Sequence, residues 1–115
     1  MIFAIILIAH WVGDYLFQST RMAVEKSSSF KWLTTHVATY TGVILAFSIF
    51  LFPWKTAILY VGINGLLHFI TDFFTSKLAA KHQDNARIFY PILGFDQLVH
   101  GLCLYLTYIN LELLL

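Results

Sequence analysis

The chain has 115 residues, 59% of them hydrophobic and 11% charged, with a mean hydropathy of +0.76. A soluble domain is usually about 45–50% apolar and about 25% charged, so a disordered chain, a basic nucleic-acid-binding module and an ordinary water-soluble globule are all excluded. The net charge is +1, and the lone Cys103 excludes an intrachain disulfide framework and a cysteine-based zinc cage. What remains is an integral membrane protein of one domain, residues 1–115.

In chain order, residues 2–17 are almost wholly apolar. A polar stretch from Gln18 to Lys31 follows, holding Arg21, Glu25, Lys26 and the run Ser27-Ser28-Ser29. Residues 32–52 are apolar again, Pro53-Trp54-Lys55 reads as a short turn, and a third apolar run covers about 57–74. Ser76 to Arg87 is polar, with Lys77, Lys81, Asp84 and Arg87, and the last run extends from Ile88 to Leu115, carrying Asp96 and Glu112.

A spanning helix needs about 20 mainly apolar residues. Runs two and four meet this, run three nearly does, and run one is short enough to be completed by an amphipathic turn or two at the interface. In lipid the backbone must satisfy its own hydrogen bonds, and runs without period-2 alternation favour helices over a barrel. Ser29 is placed to cap the second helix, and Pro91 to open the fourth in its first turn.

The expectation is an all-α, integral membrane four-helix bundle. Six of the seven basic residues lie on the two longer loops and only Lys55 on the other side. The positive-inside rule then puts both loops in the cytoplasm and both termini outside, as a multi-pass protein of the inner (cytoplasmic) membrane. Run one lacks a basic leader and contains His10 and Asp14, so it reads as retained rather than cleaved.

The chain also repeats itself. His10-Trp11-Val12-Gly13-Asp14 returns as His68-Phe69-Ile70-Thr71-Asp72, and each copy is followed by a lysine-bearing loop and a helix with an early histidine, His36 or His100. This predicts two duplicated helical hairpins, about 1–54 and 55–115, related by an axis along the membrane normal.

Four of the five histidines and three of the six acids sit in or at the edge of apolar runs: His10, His36, His68, His100, Asp14, Asp72 and Asp96. An Asp at a membrane-helix centre costs about 2.5–3.5 kcal/mol on insertion scales, and such groups normally face inward and find partners. His10/Asp14, His68/Asp72 and Asp96/His100 are i,i+4 pairs, each on one helix face. All seven fall at one depth, close to the ends bearing the basic loops.

Bundle cores that hold metals are built from His and acid side chains projecting inward from facing helices. Imidazole with carboxylate and no thiolate suits one or two divalent ions, zinc ahead of manganese or iron. Seven candidate ligands exceed the four of a single zinc, so a pair of metals, or one metal with carboxylates behind its ligands, fits better, and Asp14, Asp72 or Asp96 serves as ligand or as general base. Gln18, Lys26, Tyr40, Lys77 and Gln97 are the expected supporting or substrate-facing residues, and Lys81 shares the rim. A purely packing role for the polar layer, or a proton or ion path, uses the same residues.

Elsewhere His82 reads as solvated, Gly62 and Gly65 as sites of close helix packing, Cys103 as a small core residue, and Trp11, Trp32 and Trp54 as interfacial.

The motifs His10 to Gln18, Lys26, His36, His68 to Asp72, and Asp96-Gln97-Leu98-Val99-His100 resemble a domain-of-unknown-function family of small bacterial and phage membrane proteins. That family's pattern is close to H-W-x-x-D-[FY]-x-x-Q, then Lys and His, then H-x-x-x-D and D-Q-x-x-H. The resemblance implies a small helical membrane protein and supplies no activity. More distantly, the pattern is similar to inner-membrane metal-dependent hydrolases.

The functional expectation is a metal-dependent membrane hydrolase acting at the cytoplasmic interface on an amphiphilic or anionic small molecule. Its alternatives are a metal-ion or proton transporter, which at this size would need to form a homo-oligomer, and a non-catalytic interaction protein. The bilayer is the expected partner; nucleic acid is not.

Overall fold

A computed structural model describes residues 1–114; Leu115, the end of the fourth apolar run, lies outside them. Its elements are α1 (Ile2–Trp11), a π-helical turn (Val12–Leu16), α2 (Thr20–Glu25), α3 (Phe30–Leu51), α4 (Trp54–Lys81), α5 (Ala86–Ile109) and α6 (Leu111–Leu114). The described residues are all-helical, with no strand among them.

The helices α3, α4 and α5, of 22, 28 and 24 residues, are long and apolar enough to cross a membrane. At 1.5 Å per residue they run about 33, 42 and 36 Å, and the molecule's longest dimension is 44 Å. Their outer faces carry exposed Phe50, Ile58, Leu66, Phe74, Leu98 and Leu102, a surface suited to lipid and not to water. Ile2–Leu16 forms a shorter apolar helix.

Local chemistry sets the boundaries. The Ser19 Oγ accepts the Met22 N–H at 3.2 Å and starts α2 inside the first polar stretch. Ser29 caps α3 as expected, accepting the Trp32 N–H at 3.4 Å. Two expectations are corrected. The second polar stretch is helical as far as Lys81, because Leu78, Ala79, Ala80 and Lys81 are good helix formers and polarity ends the apolar run without ending the helix. The connection therefore shrinks to His82–Asn85.

Pro91 does not open α5, which begins five residues earlier at Ala86, with the Ile88 and Phe89 N–H groups donating to the Asn85 carbonyl at 3.0 and 2.8 Å. Pro91 sits within the helix on an exposed face, where the missing N–H costs a single bond near the start.

In cross-section α3 packs along α4 and α4 along α5, while α1 lies against α3 and α5. The buried apolar core is small: Ile6, Ala9, Tyr40, Ile44, Tyr60, Val61 and Leu104. The Tyr60 hydroxyl ties α4 to α5 by donating to the Leu104 carbonyl at 2.8 Å.

Close approach depends on two glycines. A Cβ at Gly65 would lie 2.8 Å from Thr41 Oγ1 on α3, and one at Gly13 would lie 3.1 Å from Tyr40 Cδ2. Gly62, expected to pack in the same way, points to open space, because it stands three residues from Gly65 but on the exposed side of α4. Gly65→Leu should therefore separate α3 from α4 and destabilise the protein by about 1–3 kcal/mol, while Gly62→Leu, which meets no neighbour, should leave stability unchanged or raise it by up to about 1 kcal/mol. Unfolding of both variants in detergent checks this pair.

Candidate metal centre

The polar layer is assembled from every long helix and from the π turn. A π turn holds one more residue than an α turn and recurs at functional sites. Here it is closed by the Phe17 N–H donating to the Val12 carbonyl at 3.0 Å. Gly13 lets this turn press on Tyr40, and the result carries the Asp14 carboxylate inward, 3% exposed, toward α3 and α4. The other groups come from α3 (His36), α4 (His68, Asp72) and α5 (Asp96, His100), all buried.

Four donor atoms converge most tightly. His36 Nε2 lies 3.0 Å from Asp14 Oδ1 and 3.1 Å from Asp72 Oδ2, and 3.2 Å from His68 Nε2. His68 Nε2 lies 3.5 Å from Asp14 Oδ1 and 3.4 Å from Asp72 Oδ2. Zinc binds N and O ligands at about 2.0–2.1 Å in a tetrahedron, whose edges are then about 3.3–3.4 Å. The five separations, 3.0–3.5 Å, bracket those edges. Asp14, His36, His68 and Asp72 could therefore hold a metal ion, and a second group, Asp14, Asp96 and His100, shares the Asp14 carboxylate.

Charge points the same way. With Asp14, Asp72 and Asp96 ionised, the single ammonium in contact with them among the described residues is Lys26, whose Nζ donates to Asp72 Oδ2 at 3.1 Å. The layer then lacks two positive charges, which one divalent ion or two imidazolium protons would supply. Buried charge left uncompensated is strongly destabilising.

Stacking fixes the imidazole planes. The His68 ring is sandwiched between Tyr40, 3.9 Å away at 14°, and His100, 4.0 Å away at 20°. The Nδ1 atoms of His36 and His68 are buried with no protein partner, so the ring packing orients His68 where a hydrogen bond would do so elsewhere. His100 Nε2 bridges Asp72 Oδ1 at 3.0 Å and Asp96 Oδ1 at 3.2 Å.

His10, expected among the ligands, stands behind them. The Gln97 amide donates to Asp14 Oδ2 and to Asp96 Oδ2, each at 3.0 Å. Its oxygen therefore faces His10 Nε2 at 2.8 Å and must accept from it. That places the His10 proton on Nε2, so Nδ1 accepts the Tyr40 hydroxyl at 2.8 Å. Both nitrogens of His10 are occupied, and the chain Tyr40–His10–Gln97 ends on two carboxylates.

Of the other expected residues, Lys26, Tyr40 and Gln97 reach the layer or its supports. Lys77 does not: its ammonium donates to the Ser27 carbonyl at 2.7 Å and lies over the Phe73 ring. Gln18 makes no contact with the carboxylates, and its Oε1 is buried without a partner. Lys81 is exposed, and His82 is half-buried.

Thr75 was not anticipated. Its hydroxyl donates to Asp96 Oδ1, and its position three residues after Asp72 on the same helix face was the signal in the sequence.

The layer's internal bonds make one prediction apart from any ion. Gln97→Leu leaves Asp14 Oδ2, Asp96 Oδ2 and His10 Nε2 short of a partner and should cost about 1–3 kcal/mol. Lys77→Met, which touches none of the layer, should cost less than about 0.5 kcal/mol. Unfolding of the two proteins in the same detergent separates these values.

No curated protein and no solved structure matches the chain. A family profile does, over residues 2–114, and it agrees with the motif resemblance traced above: the chain belongs to DUF3307, a family of proteins of unknown function.

Proposed function

We propose that this is an integral membrane hydrolase that uses a divalent ion, zinc first among the candidates, to cleave an amphiphilic substrate at the cytoplasmic interface. The observation that carries the reading is the cage of four donor atoms with edges of 3.0–3.5 Å. Ionisable groups inside lipid-facing helices are functional by default, and these separations suit an ion held between the four groups.

In this reading α1 and its π turn complete a four-helix bundle of the inner membrane. The two basic loops face the cytoplasm and the termini face outward, by the positive-inside rule. The two hairpins are related copies. In support, Asp14 meets His36 and Asp72 meets His100, each pair at 3.0 Å.

A divalent ion would polarise a phosphoryl or acyl oxygen and ease the ionisation of a water. His36, His68, Asp14 and Asp72 would hold it. Asp96 takes a proton from the attacking water as that water's oxygen bonds to phosphorus or to the acyl carbon. The ester bond to the leaving oxygen breaks, and that oxygen receives the proton from Asp96. Lys26, at the rim of the layer, steadies an anionic headgroup.

Protein purified in mild detergent without chelator should carry about one equivalent of divalent metal by elemental analysis. His36→Ala and His68→Ala should abolish it. His10→Ala, which removes only a support, should weaken the affinity about 10–100-fold.

Hydrolysis of alkyl 4-nitrophenyl phosphates and esters should fall about 100-fold or more in Asp96→Asn. A metal-bearing parent with no hydrolysis but with metal uptake in proteoliposomes would replace the enzyme by a transporter. A well-folded parent that refuses metal would leave the polar layer as packing alone.

A further inference from the structure

The two groups of ligand atoms that share Asp14 differ in closure. Asp14, His36, His68 and Asp72 present four buried protein donors, so an ion there meets substrate or water only as a fifth ligand. Asp14, Asp96 and His100 present three, leaving a fourth position for something from outside the chain. The two groups also differ in what adjoins them. A cavity of about 270 Å³ lies between α2, the last turns of α4 and the first turns of α5, and Asp96 belongs to its wall. Lys26 and Ser76 line its polar side, and Phe89, Ile92 and Leu93 its apolar side. The Ser76 hydroxyl is buried there with no protein partner, and an unpaired buried hydroxyl calls for one.

From this arrangement we infer a second cation site at Asp14, Asp96 and His100, filled only together with the phosphate headgroup of a single-chain amphiphile in the adjoining cavity. The inference rests on the metal reading of the layer. One divalent ion with Lys26 already balances the three carboxylates. A second ion would leave two uncompensated positive charges in a desolvated site, which is costly unless an anion arrives with it. A phosphate monoester carries close to two negative charges and offers acceptor oxygens to Ser76 and Lys26. The apolar wall receives the alkyl chain. Cation and anion then tighten each other's binding by the same factor.

The test uses the full chain in detergent, loaded with one equivalent of zinc and titrated with manganese, the free ion being followed by its paramagnetic resonance signal. Inorganic phosphate should tighten the manganese equivalent at least about tenfold, and hexyl phosphate should tighten it further. Ala80→Phe, on the exposed cavity wall, should remove the advantage of hexyl over inorganic phosphate and keep the effect of inorganic phosphate. Asp96→Asn should retain the zinc, which also shows that it is folded, and lose the anion-dependent manganese.

Manganese binding indifferent to both anions overturns the proposal, as does an Asp96→Asn protein that binds manganese like the parent. Equal tightening by the two phosphates overturns the amphiphile and leaves a free-phosphate site. Failure of the parent to take up the first zinc appears before any manganese is added, and it refutes the metal reading itself.

Discussion

Three carboxylates and four imidazoles are withdrawn from water into one layer of a chain whose outer surface is apolar, and each must find a partner there. In such a medium an unpaired charge costs more than a typical packing defect. The elements around the layer are arranged to supply those partners: Gln97 joins α5 to the π turn, His100 joins α5 to α4, and Lys26 reaches back from the α2–α3 connection to Asp72. Among the described residues only eleven apolar side chains are buried. Between helices in a bilayer the usual hydrophobic drive to associate is absent, and there the polar layer and the close contact at Gly65 would specify the helix neighbours.

The two H-x-x-x-D segments, His10–Asp14 and His68–Asp72, serve different roles. In the second, an unbroken α-helix keeps His68 and Asp72 on one face, both aimed into the donor cage. In the first, the helix opens into a π turn between His10 and Asp14. Asp14 still reaches the cage, 3.0 Å from His36, but His10 is held back by Tyr40 and Gln97. One segment thus contributes two donors and the other contributes one donor and an orienting group. The asymmetry leaves the second ligand group with three donors, beside the cavity.

Much of this was legible in the sequence. The long apolar runs marked the three membrane-length helices, and the i,i+4 pairing of His and Asp marked the faces that meet. Ser29 was readable as a cap because its role depends only on the next three residues. What escaped was what depends on tertiary contact. The π turn depends on Gly13 lying close against Tyr40, 27 residues away in the chain. The reach of α4 to Lys81 is hidden because polar residues end an apolar run without ending a helix. Gly62 and Gly65 look equivalent in sequence, and the neighbour α3 distinguishes them. The role of His10 followed only from the direction of the Gln97 amide.

The central claim is that Asp14, His36, His68 and Asp72 form one tetrahedral cage around an ion. X-ray absorption at the metal edge of the purified protein tests it most directly. The account predicts four nitrogen and oxygen neighbours at about 2.0–2.1 Å, with outer-shell scattering from two imidazole rings. A six-oxygen shell, a sulfur neighbour, or protein with no metal edge after incubation with zinc would contradict it.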